Sequence, residues 1–231
     1  MRRDDCTWAE LVLFDLDGTL ADTKNDLATA VNLTFADLGL PPLPESLIAG
    51  YVGDGVRKLI AKTLGESGGP RYAEALLLFR SHYMTHLLDT TRFYPGMTAL
   101  LGRLSSKLRV VVTNKPMEYT TKILEGLDAA ACFELVIGSD PSTPLKPDPH
   151  MLKRALAHFG VPPERTIMVG DGVNDIVAAR AVDVRSCAVG YGLAPGHLLQ
   201  SAAPDYFCET VNDLTVCLCG ERLHQAPAAP G

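Results

Sequence analysis

The chain has 231 residues, 47% of them hydrophobic, and a formal net charge of −6. That length can bury a sheet and carry a smaller appended unit, while the acidic balance, with no cluster of Lys and Arg interleaved with aromatics, argues against a nucleic-acid surface. No segment approaches the roughly 20 apolar residues that cross a bilayer, and the charged start at residues 1–10 does not read as a signal peptide, so a cytosolic protein is expected.

The first predicted element is a short apolar strand, Leu11-Val12-Leu13-Phe14, that runs directly into Asp15, Leu16, Asp17 and Gly18. A short uninterrupted apolar run reads as a strand buried on both faces, and Gly18 lets the chain turn sharply out of the sheet. Two carboxylates then emerge at a strand's carboxyl end, the edge at which open α/β sheets bind ligands. Such acids can hold a divalent cation and attack an electrophile, although Asp and Gly are also ordinary turn residues.

Residues 25–38 show helical spacing, end near Gly39 and meet the break Pro41-Pro42-Leu43-Pro44. Residues 46–49, 56–64 and 71–88 carry no strand alternation, so residues 22–90 read as a helical cap inserted into a core of residues 1–21 and 91–224. From Tyr94-Pro95-Gly96 onward, apolar strands at 110–112, 135–137, 167–169 and 187–189 alternate with helices, and residues 204–207 suggest a last strand. This pattern predicts a Rossmann-like α/β core around a parallel sheet, and the Ala- and Pro-rich residues 225–231 read as a disordered tail.

Three further strand ends carry chemistry. Thr113 and Asn114 close the strand at 110–112 with a hydroxyl and an amide suited to phosphoryl oxygens, although a hydroxyl there also serves as a plain helix cap. Lys146 stands among Pro144, Pro147 and Pro149, which keep its loop out of a helix; a held ammonium would offset the repulsion among acids and phosphate, whereas the plainer reading is a solvated surface Lys. Asp171 and Asp175 follow the strand at 167–169 in Gly170-Asp171-Gly172-Val173-Asn174-Asp175, one helical turn apart. The six cysteines, Cys6, Cys132, Cys187, Cys208, Cys217 and Cys219, lack the paired spacing of a zinc site or a disulfide scaffold, so free thiols are expected.

In their order, Asp15-Leu16-Asp17-Gly18-Thr19, Thr113-Asn114, Lys146, and Gly170-Asp171 with Asp175 resemble the four motifs of the haloacid dehalogenase superfamily. Within it, Thr113-Asn114-Lys115-Pro116 and Lys146-Pro147-Asp148-Pro149 resemble the bacterial phosphoglycolate phosphatase branch. The resemblance implies a magnesium-dependent phosphatase for a small phosphorylated metabolite, 2-phosphoglycolate foremost, working as a monomer or homodimer. It further implies Asp15 as nucleophile and Asp17 as general acid and base. Thr113, Asn114 and Lys146 would bind phosphate; Asp15, the Asp17 carbonyl and Asp171 would hold Mg2+, with Asp175 orienting them.

In the cap, Gly53-Asp54-Gly55-Val56-Arg57 is similar to a glycine loop that the branch places over its site. Gly53 and Gly55 would allow close approach of backbone to ligand, and Arg57 is the candidate for a substrate carboxylate, though an Arg at an exposed helix start is commonly just solvated. Two positions depart from the branch: Asp54 stands where a neutral residue is usual, and Asp183 where Gly is usual. Alternatives stay open: a sugar phosphomutase, a phosphatase for another small metabolite, and a non-catalytic binding protein on the same fold. A dehalogenase or phosphonatase is disfavoured by Asp17 together with the acids at 171 and 175.

Overall fold

A computed structural model of the chain describes residues 6–220, so the tail expected at 225–231 lies outside the described residues. The first strand, β1 (Leu11–Phe14), and a two-residue strand, β2 (Ala21–Asp22), lead into four helices, α1 (Lys24–Asp37), α2 (Glu45–Ala49), α3 (Val56–Leu64) and α4 (Tyr72–His86). Strand β3 (Arg92–Phe93) pairs antiparallel with β2 at the foot of this helical insertion. The chain continues through α5 (Met97–Arg103), β4 (Leu108–Pro116), α6 (Met117–Gly126), β5 (Leu135–Ser139), α7 (His150–Phe159) and β6 (Thr166–Gly170). It ends in α8 (Val173–Arg180), β7 (Arg185–Val189), α9 (Gly196–Ser201), β8 (Tyr206–Cys208) and α10 (Val211–Cys219).

Six strands form one parallel sheet in the order β5-β4-β1-β6-β7-β8, in accordance with the predicted α/β core. Alternate residues of β1 serve opposite faces, as the pleat requires. Leu11 and Leu13 join Val110, Val112, Met168, Met151 and Ala179 on one side, while Val12 and Phe14 join Val111, Val169, Leu100, Ile123 and Leu214 on the other. Both faces are covered, which is why β1 reads as a continuous apolar run.

The insertion is tied at its base by a buried carboxylate. Asp26 of α1 accepts from the Thr90 amide at 2.9 Å and the Thr91 amide at 2.8 Å, joining the outgoing helix to the returning chain. Nothing in the local sequence around Asp26 announces that role, because its partners lie more than sixty positions away.

The cysteines require a correction. Cys6 and Cys217 form a disulfide across a sequence separation of 211 residues, where free thiols were expected. Spacing along the chain could not reveal the pair, since the opening segment and α10 are neighbours only in the folded chain. The Cys6 amide also donates to the Cys217 carbonyl.

Candidate active site

The central position of β1 decides the geometry. Phe14 is in register with Val111 of β4 and Val169 of β6, so the carboxyl ends of all three strands open side by side. Because the chain runs from β1 toward β4 and β5 on one side and β6 to β8 on the other, this is the crevice where an open parallel sheet takes its ligand. Asp15 continues β1, its amide donating to the Val169 carbonyl at 2.9 Å, and one carboxylate oxygen accepts from the Leu16 amide at 2.8 Å.

Asp15, Asp171 and Asp175 come together with carboxylate oxygens within 4.8 Å of one another, all three buried. Asp171 is pushed well above the ordinary carboxylate range, first by burial and then by the charge of Asp15, against a stabilising bond from the Leu193 amide at 2.7 Å. Gly18 makes this approach possible. Its φ of +78° suits glycine, and a Cβ there would overlap the Asp171 carboxylate.

Lys146 is the cation among these acids, with its side chain 1% exposed. Its Nζ lies 2.5 Å from Asp175 Oδ1 and 3.2 Å from Asp15 Oδ1, and donates to the Val112 carbonyl at 2.7 Å. Burial disfavours its charge, but Asp15 and Asp175 outweigh burial and raise its pKa. Asp175 accepts from the Gly172 amide at 3.0 Å through its other oxygen. The solvated-lysine reading of Lys146 is therefore excluded.

Asn114 holds two loops in place. Its Nδ2 donates to the Gly53 and Lys146 carbonyls, each at 2.9 Å, and its Oδ1 accepts from the Lys146 amide at 2.7 Å. With the side chain so engaged, only the backbone of Asn114 is left to meet a ligand. Thr113, Asn114, Asp15, Asp17, Gly53 and Gly55 line one cleft between insertion and sheet. A larger adjoining cleft is lined by Asp15, Asp17, Lys146, Asp171, Asp175 and the insertion's Asp54 and Lys62.

Lys115 was overlooked as a site residue by sequence reasoning. Its Nζ donates to both oxygens of Asp17, at 2.8 and 3.0 Å, and sits 4.6 Å from the ring centroid of Tyr83 on α4. Thr23 also donates to Asp17, at 2.6 Å. The pairing of β4 with β5 shifts register between Val112 and Pro116, and Asn114 and Lys115 within that stretch are both buried. The available signal was a Lys directly after Thr113-Asn114 and before Pro116.

The cap residues divide. Gly53 and Gly55 adopt φ of +110° and +86°, and the loop they form touches the sheet through Asn114. Arg57 is exposed on the first turn of α3 and is not among the residues lining either cleft. Asp54 does not confront the site as a bare anion: Lys62 Nζ lies 2.7 Å from it and Asn174 donates to it at 2.8 Å. Burial acts to raise its pKa, but these two partners prevail and lower it. Asp183 sits beyond α8 at φ +57°, the left-handed region in which glycine is the usual occupant.

Buried hard-oxygen donors with one lysine among three acids suit a divalent cation such as magnesium, which favours carboxylate oxygen and compensates the charge. Around that centre stand a carboxylate able to attack, a second able to move protons and a lysine able to hold an anion. A parallel sheet with such acids at its switch point carries the groups that chemistry through a carboxylate nucleophile requires.

Residues 12–189 match the haloacid dehalogenase-like hydrolase family, and the chain belongs to it. It is 37% identical to a phosphoglycolate phosphatase of Chromobacterium violaceum over 195 residues, 81% of this chain and 88% of that one. A phosphoglycolate phosphatase of Colwellia psychrerythraea is 35% identical over 90% of this chain and 96% of its own. The crystal structure of a predicted phosphoglycolate phosphatase from Haemophilus somnus superposes with a TM-score of 0.84 at 27% identity, covering 90% of this chain and 97% of that chain.

Proposed function

We propose that the protein hydrolyses a small phosphate monoester, 2-phosphoglycolate foremost, in the cytosol, with residues 22–90 acting as a cap over the sheet edge. The observation that carries this reading is the cluster of Asp15, Asp171, Asp175 and Lys146 beside Asp17. In the first step a free oxygen of Asp15 attacks phosphorus and forms an aspartyl-phosphate, while Asp17 protonates the departing alkoxide. In the second step Asp17 takes a proton from water, which attacks phosphorus and releases Asp15. Splitting one displacement into two easier ones is the gain from a carboxylate nucleophile.

Lys146 steadies Asp15 and the phosphoryl oxygens, with Thr113 and the backbone of Asn114 as further donors. Lys115 positions Asp17 and returns it to the same place after each proton transfer. Magnesium, held by Asp15, the Asp17 carbonyl and Asp171, would neutralise charge on the transferring phosphoryl group. Asp175 orients this set through Lys146 and its own helix cap.

Asp15→Asn removes the nucleophile while preserving shape, so turnover should be lost in a protein with unchanged circular dichroism. Substantial residual phosphatase activity in that variant would overturn the assignment. A panel of phosphate monoesters, scored for phosphate release and for isomerised product, separates 2-phosphoglycolate from other metabolites and a phosphatase from a mutase.

A further inference from the structure

Four of the six cysteines, scattered along the sequence, meet in one buried place at the far edge of the sheet. Cys6, Cys187, Cys208 and Cys217 are all at most 5% exposed. The sulfurs of Cys187, Cys208 and Cys217 lie within 4.8 Å of one another, and Cys6 is bonded to Cys217. Cys187 comes from β7, Cys208 from β8, Cys217 from α10 and Cys6 from the segment before β1.

The strand register distinguishes what this cluster can do. Val189 is aligned with Cys208, and Cys187 with Tyr206, so Cys187 and Cys208 are offset by two residues on neighbouring strands. With strands about 4.8 Å apart and about 3.3 Å per residue, their Cα atoms are roughly 8 Å apart. A disulfide needs less than about 7 Å, so these two cannot be bridged without moving the sheet. Their sulfurs nevertheless point at each other at 3.6 Å. Thiolates around a tetrahedral zinc ion, at about 2.3 Å from the metal, are separated by about 3.8 Å.

We propose that the reduced chain binds one thiophilic d10 metal ion, of which zinc is the type, through Cys187, Cys208 and Cys217, with Cys6 as fourth ligand. Reduction of the Cys6–Cys217 bond by a phosphine adds two electrons and two protons, giving two thiols, while water supplies the oxygen of the phosphine oxide. Zinc then displaces the four thiol protons. Four protein ligands leave no open position, so the site is structural. It would fasten the opening segment and α10 to β7 and β8. Its soft sulfur donors separate it from the hard carboxylate centre described above.

The test uses the full chain, stripped of metal by chelation and reduced with a phosphine under nitrogen. Cobalt(II) should then give the intense visible bands and sulfur-to-metal charge transfer of a tetrahedral thiolate site, saturating at one ion per chain and displaced by zinc. Cys208→Ser should weaken zinc binding on the order of 100-fold or more, whereas Cys132→Ser should not change it. Oxidised protein, with Cys6 and Cys217 joined, should hold zinc far more weakly than reduced protein. X-ray absorption of zinc-loaded wild type, which needs no variant to fold, should show a shell of sulfur alone. Absence of thiolate–cobalt bands in reduced wild type, a shell containing oxygen ligands, or bands unchanged in Cys208→Ser would overturn the proposal.

Discussion

Replacing Lys146 by Met keeps most of the buried stem and removes only the ammonium. Asp175, whose side chain is 4% exposed, then loses a partner at 2.5 Å, and Asp15, 11% exposed, loses one at 3.2 Å. Removing one member of a buried ion pair costs about 3–5 kcal/mol, because the charge left behind stays out of water. Asp175 should bear most of that, since Asp15 opens to the cleft. With a urea dependence of roughly 3 kcal/mol per M for a chain of this size, the midpoint should fall by on the order of 1–2 M in chelator.

Added magnesium should recover part of the loss, because a ligand of the folded acids stabilises by mass action. The loss should also shrink as pH falls. Burial, relieved in part by Lys146 but reinforced by Asp15, raises Asp175 to about 6 in the intact site. An acid whose pKa is raised on folding weighs fully against the fold above that value, and the penalty fades as pH falls from there to the ordinary carboxylate range. Removing the lysine removes the relief, so the variant benefits more from acid than wild type. The double variant Lys146→Met with Asp175→Leu should be less destabilised than the sum of its parts. A loss under about 1 kcal/mol for Lys146→Met in chelator would refute the buried network as the source of order here.

Gly18→Ala should lower stability by at least about 1–2 kcal/mol from its left-handed backbone alone and abolish turnover by displacing Asp171, read by urea unfolding and phosphate release; near-normal activity would contradict the close packing. Lys115→Met should reduce kcat on 2-phosphoglycolate and on an aryl phosphate by similar factors, as loss of a positioning contact to Asp17 predicts, and a change confined to KM for one substrate would count against it. Arg57→Ala should change both substrates little and equally, given its exposed position, and a loss of about 2–5 kcal/mol restricted to the carboxylate-bearing substrate would place Arg57 in the closed site after all. Asp183→Gly should raise stability by about 1 kcal/mol, checked by thermal unfolding, because glycine meets no steric penalty at φ +57°.

The residues themselves determined the parallel core and most of the side chains that meet at its edge. Strand ends announce themselves locally: an apolar run fixes a buried strand, and an acid or hydroxyl following it must emerge at the sheet's edge, so Asp15, Asp17, Thr113 and Asp171 were legible one by one. Asp183 was legible as an oddity, and its positive φ is of the kind that favours glycine. Only the tertiary structure decided which groups face one another. The irregular end of β4 brought Lys115 to Asp17, Lys62 and Asn174 compensated the Asp54 charge that looked unfavourable, and Arg57 came to rest outside the clefts. The cysteines show the same limit most fully. Cys6 and Cys217 are 211 positions apart, and the meeting of four sulfurs depends on strand order and register, which are long-range properties that no local spacing encodes.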